Sequence, residues 1–340
     1  TIVDPNILEK FFIDYFGNTT ALFEDLYKAK GLKRTLAFDG QEVRASYKKG
    51  ENSRNKKGAI VTSICDCSNK SALSYAVTDK KNKEKTDFIN MLFNVNVQGS
   101  VIMSDALNTT RQVRDSIIKA KADFLMPIKS NNKNKELLEY VTKAFVQNSK
   151  SELMRVSSSI EKAHGRIESS YIYILPVSVL PIAIEQEHYD VKTIVKYLKI
   201  REKIGSGKEP THEIRYYITS LDFNDETILE QIVHSIDIYW NIEAMHNRLD
   251  VVFMQDSLNI CDENYLPNRI GFNKIVFNII TYQRELLSKG KKEKISYERI
   301  MRSNFSNIYN AFKMLCKYFI DCNKKYPPMQ EVPKRIKNLL

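Results

Sequence analysis

Between Leu36 and Val146 the apolar residues switch repeatedly between the period of a strand and the period of a helix, and that switching restricts the fold more than any other feature of the chain. Leu36-Ala37-Phe38 reads as a strand ending at Asp39-Gly40, Ala59 to Cys65 as a second and Ala72 to Thr78 as a third. Short turns, such as Ser68-Asn69-Lys70, imply an antiparallel meander. A helix over Lys85 to Val95 follows, then a short buried strand Val101-Ile102-Met103 leading to Asp105, and a helix over Thr109 to Ala120. Phe124 to Ile128 is one more strand and Lys133 to Val146 a polar helix. The order β-β-β-α-β-α-β requires parallel pairing by right-handed crossovers in its second half, hence a mixed sheet.

That order is the plan of an α/β, ribonuclease H-like mixed sheet flanked by helices. Before it, Asp4-Pro5 opens a helix as N-cap and first residue, and Ile7, Leu8, Phe11, Phe12 and Tyr15 recur at helical spacing until Gly17. A second short helix carries Leu22, Phe23, Leu26 and Tyr27 and ends at Gly31. After it, the pattern turns β-rich, with candidate strands at Ile167 to Val179, Ile194 to Ile204 and Ile214 to Leu221. Helical spacing resumes at Asp225 and continues through Trp240, the only tryptophan, which is read as a core residue. The expected division is a short helical segment (1–31), the first part of a catalytic domain (32–150), a β-rich insertion (151–222), the second part of that domain (223–290) and a helical C-terminal segment (291–340).

With 340 residues, 43% hydrophobic and 27% charged, the chain has enough apolar material for a sizeable core. Lys and Arg number 52 against 41 Asp and Glu, a net charge of +11 that points to a polyanionic partner. Five cysteines without paired spacing exclude a disulfide framework and a zinc-site pattern, and suggest a reducing compartment. No apolar run approaches the roughly 18 residues of a spanning helix and no signal-peptide pattern opens the chain, so the expected setting is the cytoplasm, with the nucleoid, and no membrane. The first residue is Thr1 rather than Met, which leaves open an upstream part.

Asp39 and Asp105 each stand at the carboxyl end of a short apolar strand, where loops diverge and sites assemble. If the first and fourth strands are neighbours, the two carboxylates meet, and their repulsion calls for a proton or a cation. Magnesium suits such a site because it takes carboxylate and water oxygens and leaves positions for phosphate. Glu243, set in the apolar stretch Tyr-Trp-Asn-Ile-Glu, is the best third acid. Taken one at a time, these residues have plainer readings. An Asp before Gly is commonly a turn residue, Glu243 a solvated helix position, and His164 and His246, outside any HExxH spacing, surface or core histidines.

Five blocks in register give the chain a resemblance to the insertion-sequence DDE transposases of the H-repeat-associated branch. They are Leu36-Ala37-Phe38-Asp39-Gly40 with Arg44 and Ser46; Met103-Ser104-Asp105-Ala106 leading to Ala122-Asp123-Phe124-Leu125 and Lys129; and His164-Gly165-Arg166-Ile167-Glu168. The last two are Arg215 to Leu221, and Trp240-Asn241-Ile242-Glu243 with His246, Leu249-Asp250-Val251 and Phe253. The resemblance implies a catalytic triad of Asp39, Asp105 and Glu243 holding two magnesium ions, with manganese as substitute, and a β-rich insertion before the glutamate. It also implies a DNA transposase that hydrolyses and joins strands at the ends of a mobile element. Double-stranded DNA is then the partner, and a homodimer the expected assembly. Arg44, Lys48, Lys49, Arg54, Lys56, Lys57, Lys129, His164 and Arg166 are the expected DNA contacts. Gln41, Ser130-Asn131-Asn132, Ala244, Asn247 and Met254-Gln255 depart from the family pattern, and none of them is one of the three acids. A non-catalytic DNA-binding remnant and a magnesium nuclease without strand joining are the competing readings.

Overall fold

The computed structural model describes residues 3–17, 31–46, 58–78, 83–130, 134–163, 165–205, 207–258, 260, 262, 264–288 and 295–306. The short helix read over Leu22 to Tyr27 lies outside them, as does the chain after 306. Two compact units emerge, one from Lys28–Phe38 and Val97–Trp240, the other from Thr1–Tyr27, Asp39–Asn96 and Asn241–Leu340. We call the latter the first unit and the former the second.

In the second unit the opening residues of strand β1 (Thr35–Val43) lie parallel to β4 (Val101–Met103), with Thr35 opposite Val101, Leu36 opposite Ile102 and Ala37 opposite Met103. β4 in turn lies parallel to β5 (Asp123–Ile128). Leu36-Ala37-Phe38, Val101-Ile102-Met103 and Phe124-Leu125-Met126 are apolar and buried, as parallel strands covered on both faces demand. Helices α3 (Arg111–Lys119) and α4 (Lys135–Gln147) bracket β5 in sequence. The β-rich segment then forms four antiparallel strands, β6 (Arg155–Ala163), β7 (Arg166–Pro176), β8 (Thr193–Lys203) and β9 (Thr211–Thr219). β9 pairs antiparallel with β5, Leu125 opposite Thr219, so within this unit the strand order is β1-β4-β5-β9-β8-β7-β6. A short helix α5 (Ile182–Glu187) links β7 to β8, and α6 (Ile228–Tyr239) lays Ile228, Ile232 and Ile236 on Val101, Leu125, Ile174 and Val195.

Arg114 of α3 and Asp190 form a two-pronged ion pair at 2.5 and 3.2 Å, each side chain only 2% exposed. His188 Nδ1 lies 3.2 Å from the same guanidinium, and the Phe124 ring 5.9 Å from it.

In the first unit, α1 (Pro5–Phe12) is capped by the Asp4 carboxylate, which accepts the Asn6 N–H at 2.9 Å, and the chain then widens into a π-turn over Ile13–Gly17. β2 (Ala59–Asp66) and β3 (Ser71–Thr78) form an antiparallel hairpin, closed by the Asp66 carboxylate accepting the Asn69 N–H at 2.9 Å. β1 neighbours β2 on its other side, so the order here is β3-β2-β1. Helices α2 (Glu84–Leu92), α7 (Asn241–Val251), α8 (Tyr265–Ser288) and α9 (Tyr297–Ser306) complete the unit. The Asn278 amide of α8 accepts the Ala72 N–H and donates to the Ala72 carbonyl, both at 2.8 Å, which satisfies an outer-strand residue that has no further strand to pair with. Gly271 lets α8 approach closely, since a Cβ there would stand 2.3 Å from the Tyr75 hydroxyl.

The first three strands, the two parallel ones after them and the β-rich segment ahead of α7 make this a mixed α/β, ribonuclease H-like fold with helices around the sheet. β1 does not stop at Asp39-Gly40 but runs on to Val43, because β2 offers it a partner beyond the end of β4. β6 and α5 are further elements that the sequence pattern does not announce. Among the described residues no helix is long and apolar enough to cross a membrane.

The buried pair yields a stability test. Asp190→Ala leaves the Arg114 charge uncompensated and is expected to cost about 3–5 kcal/mol. Arg114→Met combined with Asp190→Leu should recover most of that loss in urea unfolding.

Candidate functional site

β1 alternates its side chains, so Asp39 and Gln41 share one face. In the first unit that face meets α7. His246 Nδ1 lies 3.6 Å from Asp39 Oδ2, and Gln41 Nε2 donates to Asp250 Oδ2 at 2.5 Å. Two strand residues advance about 6.6 Å and four helix residues about 6 Å, so the 39-to-41 step matches the 246-to-250 step and strand and helix run in register. Just beyond the strand, the Arg44 N–H donates to Asp256 Oδ1 at 2.8 Å and its guanidinium stands 3.2 Å from Oδ2. Glu243 lies in the first turn of α7, three residues before His246 and exposed. The first unit therefore seats Asp39 against the helix that carries Glu243.

Beneath that face is a buried cation. Lys274 of α8 is fully enclosed and donates to Ser63 Oγ of β2 at 2.9 Å. Burial pushes its pKa down to about 8, against the pull of Cys65 and Asp250. Burial, followed by the Lys274 charge, lowers the His246 pKa to about 3, so this imidazole is neutral. The Asp250 carboxyl is raised by burial and by Asp256, opposed by Gln41, Arg44 and Lys274.

In the second unit, β4 ends at Met103 and Asp105 follows it two residues later. Asp105 shapes its own loop: its carboxylate accepts the Asn108 N–H at 3.1 Å, and its carbonyl accepts from Ser104 Oγ at 3.2 Å and Thr109 Oγ1 at 3.4 Å. Lys129 follows β5 and lines a cleft of about 340 Å³ with Ser130, Thr142, Arg215 and Tyr216. Arg166 opens β7 and bonds Glu168 at 2.7 Å. It belongs to a ladder across β7, β8 and β9 in which Lys199 and Arg201 also approach Glu168, and Arg201 and Arg215 bond Glu213. Lys199 and the neighbouring cations hold the Glu168 carboxyl below its ordinary range.

Lys48, Lys49, Arg54, Lys56, Lys57 and His164 lie outside the described residues. Trp240 is not a core residue. It stands between α6 and α7, 47% exposed, with the Arg215 guanidinium 5.5 Å from its ring, because the helical pattern that was read as continuous breaks there. Sequence spacing also passed over Lys199, Arg201, Arg215 and Lys274. The period-2 placing of cations along β8 could have drawn attention to the first two. Nothing local marks Lys274 as buried.

The three acids are oxygen donors, the chemistry a hard divalent ion prefers. Asp39 keeps 30% of its side chain open and Glu243 is at the surface, so both can be reached. Among the described residues no three His, Cys, Asp or Glu side chains are gathered closely enough to hold a metal ion.

Residues 30–237 match the family described as the Transposase DDE domain, and the chain belongs to that family. The matched span contains Asp39 and Asp105 and stops short of Glu243. The chain is similar to YbfL and to the H repeat-associated YhhI, named as a transposase, both from Escherichia coli K12. Each is 27% identical over 281 residues, 81% of this chain and 71% of the relative. The resemblance to the H-repeat-associated branch is thereby borne out, and the protein is a transposase. A solved piggyBac transposase synaptic complex with hairpin DNA aligns with 88% of this chain at 14% identity and a TM-score of 0.43, and this chain spans 55% of that one.

The enclosed lysine gives a signed pH dependence. Its folded pKa is about 8 against 10.5 when free, so the unfolded chain binds the extra proton between those values and stability rises with pH across that window. Thermal unfolding at pH 8 and pH 10 should show this gain in the wild type and a smaller one in Lys274→Met.

Proposed function

We propose that this transposase cuts DNA at the ends of a mobile element and joins the freed strands to a target, with Asp39, Asp105 and Glu243 holding the magnesium ions. What most supports the reading is the seating of Asp39 on the helix that presents Glu243, in a chain of the transposase DDE family. Acids of like charge stay apart unless a cation draws them together, so the absence of a preformed cluster among the described residues is compatible with a set that gathers on loading. When bound, a pair of such ions activates the attacking oxygen and stabilises the leaving one. Hydrolysis and strand transfer then differ only in whether the attacking oxygen belongs to water or to a 3′-hydroxyl.

The remaining work falls to cations. Lys129 and the strand ladder hold DNA by its phosphates, with affinity that declines as salt rises. Arg166 and Arg44 are partly exposed and already paired with Glu168 and Asp256, so phosphate displaces a carboxylate from each. Exposed pairs of this kind are worth about 0–1 kcal/mol, which makes the exchange easy. Double-stranded DNA is the partner, and two copies joining two element ends form the working assembly.

Asp39→Asn and Asp105→Asn should each lower magnesium-dependent cleavage of end-bearing DNA by at least about 100-fold, the scale of losing one preorganised transition-state contact. Gel-shift binding should persist. Wild-type turnover by either variant removes that acid from the mechanism. Nicked products without joined ones would favour a nuclease, and binding with no cleavage by the wild type would favour a DNA-binding remnant.

A further inference from the structure

β6 ends the strand order of the second unit and pairs with β7 in an unbroken register, from Arg155 opposite Ile174 to Ala163 opposite Arg166. Among the described residues no strand pairs with its other edge, which leaves a row of backbone N–H and C=O groups open to a further strand. Outer strands are ordinarily protected by being short, or by a proline, a bulge or a central charge. β6 has none of these: it is nine residues long, regular, free of proline and uncharged from Val156 to Ile160. Its two large apolar side chains stand in the open, Val156 at 54% and Ile160 at 70% exposure.

The strand is also complementary to itself. Turned antiparallel about a two-fold axis at Ser158, it sets Val156 opposite Ile160, Ser157 opposite Ser159 and Arg155 opposite Glu161, each pair occurring twice. Opposed residues share a face, so both apolar pairs fall on one face and both pairs of opposite charge on the other. The Arg155 guanidinium donates to the carbonyls of Phe223, Asp225 and Glu226 at 2.7, 3.1 and 3.2 Å, which fixes a positive charge at that end of the strand. Glu161, at the other end, is exposed. An axis at Ser157 would leave Arg155 against Ser159, and one at Ser159 would set Val156 against Lys162, so of the three only Ser158 makes both pairings.

We propose that β6 is a self-association surface, at which a second copy of this chain adds its own β6 antiparallel and continues the sheet. The surface needs neither metal nor DNA, and it gives the two-copy assembly of the proposed function a place of contact.

Sedimentation of the full chain over a range of concentrations, alone and with duplex DNA, should show a dimer. Ile160→Lys changes an exposed position and sets a cation against Val156 in both symmetry-related pairs. It should weaken the dimer by about 10-fold or more while the circular dichroism spectrum stays that of the wild type. Ser158→Cys meets its own copy at the axis and should give a covalent dimer under diamide, above the wild-type background. Ser157→Cys and Ser159→Cys each lie two positions from their own copies, beyond the roughly 7 Å between Cα atoms that a disulfide spans, and should crosslink only when the two variants are mixed. No covalent dimer from Ser158→Cys, or crosslinking of Ser157→Cys or Ser159→Cys alone as readily, overturns the inference. A dimer of wild-type strength in Ile160→Lys also overturns it and leaves two copies assembling by another surface. A chain that stays monomeric in both settings overturns this inference and the two-copy assembly together, and leaves the cleavage reading to its own test.

Discussion

The register of β1 is the constraint on which the candidate site depends. Thr35, Leu36, Ala37 and Phe38 are wholly enclosed, and three of them are matched residue for residue with β4. Side chains alternate along a strand, so a slip of one position would exchange the two faces and turn Asp39 and Gln41 away from α7. The polar half of β1 is thus aimed by the apolar half. Burial of Leu36 and Phe38, each worth about 1.5–3 kcal/mol, opposes any such slip.

Charge is organised on two levels. In the interior, ionic groups are matched or depressed: Arg114 is gripped by Asp190, and Lys274 answers its burial with a lowered pKa and a bond to Ser63. At the surface, four cations of β7, β8 and β9 (Arg166, Lys199, Arg201 and Arg215) share two acids, Glu168 and Glu213. The excess is positive and the pairs are weak, an arrangement that keeps long side chains ordered and leaves them able to take phosphate.

Much of the element plan was legible because it rests on near neighbours. The strand at Val101–Met103 and the helices over Arg111–Lys119 and Lys135–Gln147 lie within a residue or two of where periodicity puts them. β6 was hidden because Ser157, Ser158 and Ser159 interrupt any apolar alternation, and an outer strand needs little of it. Trp240 was misplaced because composition says nothing of a helix break. Of the site, Asp39 and the helix bearing Glu243 were legible as a pattern, whereas the roles of Gln41, Asp250 and Lys274 depend on distant partners.

By itself the sequence determined the order of the strands and helices from Leu36 to Val146, the linear spacing of Asp39, Asp105 and Glu243, and the basic balance of the chain, all of which follow from local period and residue chemistry. Only the tertiary structure decided that β9 would pair with β5 and carry the β-rich segment into the same sheet as β4. It also decided that His246 would face Asp39, and that a lysine would be enclosed against a serine 211 residues away. Pairing partners and burial depend on which distant surfaces meet, and no window of neighbouring residues contains that information.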